Sequence, residues 1–202
     1  MLILLVAVAA GVLIGLATGG RLSGLGDFRL RMWPLLLGAV AVELVVGDLP
    51  SGPRWVLGLA ACVVAGIWCM VNRPVGRRVA GPELIGVGAA LNAVVMAADS
   101  GMPVSRSALV QAHLGGIPDV TRGHLYKHVA MTGHTALRPL GDVIPVSPLR
   151  TVVSVGDVLM LAGIVVTVAV ATRTHRSEPN APAGTEPADR QLLPRQELAK
   201  GT

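Results

Sequence analysis

The stretch TVVSVGDVLMLAGIVVTVAVA, residues 151–171, decides how this chain is read: it holds 21 residues and one charge, Asp157. A helix that crosses a ~30 Å hydrocarbon layer needs about 17–25 mostly apolar residues. Four other stretches have the same character, at 1–19, 32–49, 55–71 and 84–98, and short arginine-bearing turns separate them. The pattern predicts an all-α fold: a polytopic membrane helix bundle of about five spans. Two further parts complete it, a structured external loop at 99–150 and a disordered tail at 172–202.

Composition agrees. Of 202 residues, 52% are apolar and only 14% charged, with a mean hydropathy of +0.63, too hydrophobic for an ordinary soluble domain. The pI near 10.2 does not point to nucleic acid. Trp33, Trp55, Trp68, Tyr126 and Phe28 are the whole aromatic set, too few for a base-stacking surface. Arginines at span ends set topology instead. Cys62 and Cys69 lie seven residues apart in the third span, two turns along one face. Their Cα atoms would stand about 10 Å apart, beyond disulfide reach. Both read as small residues facing lipid or a neighbouring helix.

Charge orients the spans. Arg21, Arg29 and Arg31 follow the first span and nothing basic precedes it, which places the N-terminus outside and the first turn in the cytoplasm. Arg73, Arg77 and Arg78 mark the third turn as internal. The segment 99–150 is then external and the C-terminus cytoplasmic, in a plasma membrane. Pro34 suits the first turn of the second helix, where a missing N–H costs little. The tail is rich in Pro, Glu, Arg, Ala and Thr and has no apolar period, so it cannot bury enough surface to fold.

Lipid gives helices no hydrophobic reason to associate, so close backbone packing must hold them. The first span repeats Gly11, Gly15 and Gly19. The third has Gly58, Cys62 and Gly66, and the fourth is built on Gly86, Gly88, Ala89, Ala90, Ala93 and Ala97. These faces predict a tight bundle within one chain; a homodimer through a glycine face is the competing reading. The expected partners are the lipid bilayer and a second membrane protein.

Polar residues at membrane depth need explaining, because an acid at a span centre costs on the order of 2.5–3.5 kcal/mol. At 1.5 Å per residue, Glu43 lies roughly 7 Å, Asn92 roughly 10 Å and Asp157 roughly 9 Å below the outer face. Asp99 and Asp142 sit at the surface above them. These five form a candidate polar pocket open to the outside. The alternative is a structural cluster, in which the acids bond to Ser154, to Asn92 or to amides of the re-entering loop. Glu83 is separate, at the inner end of the fourth helix, where the dipole favours a carboxylate.

Within the external segment, Ser105 suits the N-cap of a short helix over 106–114, ended by Gly115. Its Leu109, Val110, His113 and Leu114 are expected on the membrane surface. A second short helix is expected over 124–131, with His124 and His128 on one face. His124, His128 and His134, with His113, raise a zinc reading, but no H-E-x-x-H and no nearby cysteine supports it. No metal and no cofactor are expected. Two Gly-Asp pairs, Gly141–Asp142 and Gly156–Asp157, bracket the point of re-entry; glycine permits close approach, and aspartate can bond loose backbone amides.

The run 91–105 (LNAVVMAADSGMPVS), then LGDVIP at 140–145 and SVGDVL at 154–159, resembles a bacterial, mainly actinobacterial, family of small multi-span membrane proteins of unknown function. The resemblance covers residues 1–171. The family pattern has Ala-Asn-Gly-Gly before Met-Pro, where this chain has Ala98, Asp99, Ser100 and Gly101. It implies a membrane helix bundle and carries no activity, cofactor or substrate.

Three functions compete. The absence from the sequence of a nucleophile–base motif, P-loop or dinucleotide fingerprint favours a non-catalytic scaffold, accessory or envelope-associated protein. A small transporter or ion-coupled carrier would use Glu43, Asn92 and Asp157, though off the midplane. An intramembrane enzyme on a lipid or envelope substrate would use Asp99, Asp142 and the histidines as acid–base groups.

Overall fold

Glycine and alanine decide where the helices of this chain touch. The computed structural model describes residues 2–27, 34, 38, 41, 54–72, 80–114 and 128–173. The helices are α1 (Leu2–Ala17), α2 (Ser23–Asp27), α3 (Arg54–Asn72), α4 (Ala80–Asp99), α5 (Arg106–Gln111) and α6 (Val155–Ala171). Two are long and apolar enough to cross a membrane, Trp55–Asn72 within α3 and Ala80–Asp99; α1 and α6 are apolar but shorter. Of the expected second span, Pro34, Gly38 and Ala41 are helical. The remainder of that span, with Glu43, lies outside the described residues, as do the third turn and the tail from residue 174.

α4 lies between α3 and α6, and α6 between α4 and α1. α4 and α6 run antiparallel with glycine facing glycine. A Cβ on Gly163 would stand 2.6 Å from the Gly81 carbonyl oxygen, and one on Gly156 2.6 Å from that of Gly88. α1 runs parallel to α6: Gly11 meets Val165 and Val168, while Gly15 meets Ala169 and Thr172. Such contact lets dispersion and backbone dipoles act between main chains. Gly19 plays another part. At φ +88° it ends α1 in a left-handed turn, with Gly20 N donating to Gly15 O at 2.9 Å and Gly19 N to Leu16 O at 3.1 Å, the Schellman pattern.

The packed face of α3 differs from the expected Gly58–Cys62–Gly66 stripe. Gly58, Ala61, Ala65, Trp68 and Cys69 are buried, whereas nothing lies within 4 Å of a Cβ placed on Gly66. Each four-residue step overshoots a full turn by about 40°, so a strict four-residue repeat drifts off the contact line. Cys69 packs with Trp68 and Ile85, and Cys62 and Cys69 are not joined in a disulfide.

The large apolar residues point the other way. On α1 the buried positions are Ala7, Gly11 and Gly15, while Leu2, Leu5, Leu13 and Ile14 are exposed. On α3, Val63, Ile67 and Met70 are exposed, Met70 by 78%. Small residues inside and large apolar ones outside reverse the order of a water-soluble core.

The segment after α4 is not all-helical. It carries β1 (Met102–Val104), β2 (His128–Ala130), β3 (Ile144–Val146) and β4 (Thr151–Val153). β1 pairs in parallel with β2, Met102 opposite His128, and β3 pairs antiparallel with β4, Ile144 opposite Val153. Four expectations are corrected here. Residues 128–130 form a strand rather than the end of a helix over 124–131, because their backbone partners lie in β1, distant in sequence. α5 stops at Gln111, before Gly115, because His113 at φ 55° takes the left-handed position and Leu114 N closes onto Leu109 O at 3.0 Å. Ser105 precedes α5 but makes no capping bond; its hydroxyl lies 2.8 Å from that of Ser107. Residues 151–153, read as the start of the last span, pair as β4, and the helix begins at Val155.

The β3–β4 turn braces α5. Ser147 Oγ donates to Gln111 O at 2.8 Å and Arg150 Nη2 to His113 O at 3.1 Å, both at the negative end of the helix, where donors are favoured.

Candidate functional site

The capping signal Ser154-Val-Gly-Asp157 opens α6. Ser154 is extended, its hydroxyl accepts from Asp157 N at 2.9 Å, and Asp157 Oδ2 accepts from Ser154 N at 3.0 Å. This is a capping box with aspartate in the third position, and it satisfies two amides that a helix start leaves open. Asp157 therefore stands in the first turn of its helix, not six residues into a span as the apolar run implied.

α4 completes the arrangement. Asn92 Nδ2 donates to Asp157 Oδ1 at 2.8 Å, and Ser154 Oγ donates to Asn92 Oδ1 at 2.8 Å. Asn92 is 5% exposed and Ser154 fully buried. Each of the three side chains thus bonds to both others, or to their backbone, in a closed ring. Gly156 makes room for it, since a Cβ there would overlap Asn92 Oδ1. The ring joins the middle of one helix to the first turn of the next, so α4 continues seven residues past Asn92, about 10 Å, above the start of α6. The strand-bearing segment fills that notch. Met102 forms one buried cluster with Val95 and Met96 of α4, and Leu137 and Leu140, with Leu59 and Cys62 of α3, pack against it.

Asp99 and Asp142 serve the segment above. Asp99, the last residue of α4, accepts from Ala136 N at 3.0 Å through Oδ1, and its Oδ2 is buried with no hydrogen-bond partner among the described residues. Asp142 is the more enclosed. Its N donates to Pro103 O at 2.8 Å, its O accepts from Ser105 N at 3.0 Å, and its Oδ2 lies 3.0 Å from His128 Nε2. β1 thus runs between β2 on one side and Asp142 on the other. Of the five expected pocket residues, the structure brings Asn92 and Asp157 together through Ser154. It ties Asp99 to the 132–136 turn and pairs Asp142 with His128, while Glu43 lies outside the described residues.

For metal binding, no three His, Cys, Asp or Glu side chains among the described residues form a group able to hold an ion. His128 faces Asp142, His134 is exposed, and His124 lies outside the described residues. The Asp142–His128 pair escaped sequence reasoning because its members sit on different strand segments and no local spacing signals it. Ser154 was legible, as a Ser-x-x-Asp at a helix start.

Gly141 is the seam between β1 and Asp142, where a Cβ would stand 2.5 Å from Pro103 O. Gly141→Val is expected to cost about 2 kcal/mol by prising Asp142 N off that oxygen. Limited proteolysis should then cut within 99–150 while α1, α3, α4 and α6 stay protected.

The geometry defines a class: a mostly helical chain with two candidate membrane-spanning helices, capped at one end by a small strand-bearing segment that a polar ring anchors. The chain belongs to DUF5317, a family of unknown function, whose pattern matches residues 27–169. No curated protein and no solved structure matches it.

Proposed function

We propose that this chain is a multi-pass protein of a bacterial plasma membrane with no chemistry of its own, acting as a scaffold, accessory subunit or envelope-associated factor. The observation that carries this reading is the closed ring of Asn92, Ser154 and Asp157. The costly polar groups of α4 and α6 direct their bonds at one another, which suits a structural staple better than a group that takes up and releases an ion. The outward-facing leucines and valines of α1 and α3 suit lipid. The helix directions suit an external N-terminus: α1, α3 and α6 enter from the side of the strand-bearing segment and α4 returns to it. The partner is then a second membrane protein meeting the external segment or the tail, since Gly11, Gly15, Gly81 and Gly88 already face α6 and leave no glycine face there for a homodimer.

The enzyme reading is favoured by one observation, the enclosed Asp142 against His128, an arrangement that orients an imidazole for proton transfer. Under it, His128→Gln abolishes turnover while Asp157→Asn is tolerated. A carrier instead loses flux on Asp157→Asn with its fold intact.

Topology is the direct test. Single cysteines at Ser107 and Gly133, in a Cys62→Ala/Cys69→Ala background, should react in intact cells with a membrane-impermeant maleimide. A cysteine at Gly19 should react only after the membrane is opened. Labelling of Gly19 from outside, or of neither external position, contradicts the reading.

A further inference from the structure

We propose that Arg21 and Arg173, at the end of the bundle opposite the strand-bearing segment, form a binding site for the phosphate of an anionic phospholipid. The proposal rests on the membrane reading above. The two arginines are remote in sequence, and backbone chemistry brings them side by side. Arg21 N donates to Thr172 O at 2.7 Å, which fixes residue 21 against the residue preceding Arg173. Arg173 Nε donates to Thr18 Oγ1 at 3.0 Å, and that hydroxyl in turn donates to Ile14 O at 2.7 Å. α2 is seated against the same end through Gly24, where a Cβ would stand 2.6 Å from Thr172 O. The turn is therefore a built part of the α1–α6 junction rather than a loose connector.

What the junction leaves over points to the ligand. Arg21 makes its bond through the backbone and Arg173 uses only Nε, so the terminal guanidinium nitrogens of both remain. Neither has a carboxylate partner among the described residues. Two arginines whose backbones are fixed at one turn can offer such forks to phosphate oxygens. Leu22 and Leu25 flank the arginines on the same turn, 60% and 37% exposed, and a bare anion would give them nothing to cover. An apolar surface beside two guanidinium groups with no carboxylate partner among the described residues, at the end of apolar helices, fits a headgroup with its acyl chains.

The test is native mass spectrometry of the full-length protein in detergent, titrated with phosphatidylglycerol and separately with phosphatidylcholine. Wild type is expected to retain phosphatidylglycerol preferentially, and Arg21→Gln/Arg173→Gln to lose about tenfold of that affinity with phosphatidylcholine unchanged. Arg21→Gln alone, whose side chain makes no bond among the described residues, should lose part of it with an unchanged circular dichroism spectrum. Equal retention of both lipids by wild type, or undiminished phosphatidylglycerol binding by the double variant, overturns the site. Displacement of the lipid by excess inorganic phosphate also overturns it, in favour of a free-anion site. Failure of the membrane reading is distinguishable, because the protein would then be released from membranes by alkaline carbonate.

Discussion

Gly156→Val should leave almost no folded protein. The new Cβ would overlap Asn92 Oδ1 and come within 2.6 Å of Gly88 O. Two of its neighbours are therefore main chain and a bonded amide, neither of which can swing aside. Overpacking ordinarily costs about 1–3 kcal/mol because side chains adjust. Here α4 and α6 must separate, and separation also breaks the polar ring and uncouples Gly81 from Gly163, so the cost should exceed about 3 kcal/mol. Yield after mild detergent extraction and the midpoint of unfolding in SDS report it. Gly66→Val, on the open side of α3, is the matched control and should behave as wild type. Equal yields for the two variants contradict the packing described.

The next largest effect is expected from Asn92→Asp. The change is nearly isosteric, so no cavity or clash accompanies it. It replaces the donor that faces Asp157 Oδ1 at 2.8 Å with a second carboxylate oxygen. Two acids at that separation repel or must share a proton, and the loss should be about 2–4 kcal/mol. Asn92→Leu removes the amide without adding charge. It leaves Ser154 Oγ and Asp157 Oδ1 each short of one partner and should cost about 1–3 kcal/mol. The order Asp worse than Leu marks electrostatics rather than lost volume as the cause. Equal stability of all three proteins in SDS titration contradicts the ring.

Much of this was legible in the sequence because hydropathy and small-residue spacing are local. The run at 84–98 marks α4, which extends from Ala80 to Asp99, and Gly11 and Gly15 mark the face that α1 presents. The expense of Asn92 and Asp157 among valines and alanines announced that they would have partners. What was misread depends on contacts distant along the chain. Val152 and Val153 are as apolar as the helix they precede, so hydropathy alone could not separate β4 from α6; the capping sequence at Ser154 could. The i, i+4 histidines suggested a helix at 124–131, yet His128 is held by Met102 of β1 and by Asp142, pairings that no periodicity encodes. His113 in a left-handed turn escaped notice because glycine, two residues later, was the stronger local signal.

The central claim, that Asn92, Ser154 and Asp157 are a structural staple between α4 and α6, is tested most directly by exchanging two of its members. In Asn92→Asp/Asp157→Asn, the amide at 157 can donate to the carboxylate at 92 and still accept from Ser154 N, while Ser154 Oγ donates to the new acid. Every bond of the ring is then available with the roles reversed. A double-mutant cycle of unfolding free energies should give the exchanged protein most of wild-type stability, with a coupling of about 2 kcal/mol between the positions. Additive losses, with the exchange as unstable as the sum of the single changes, would show that the two residues do not hold the helices together.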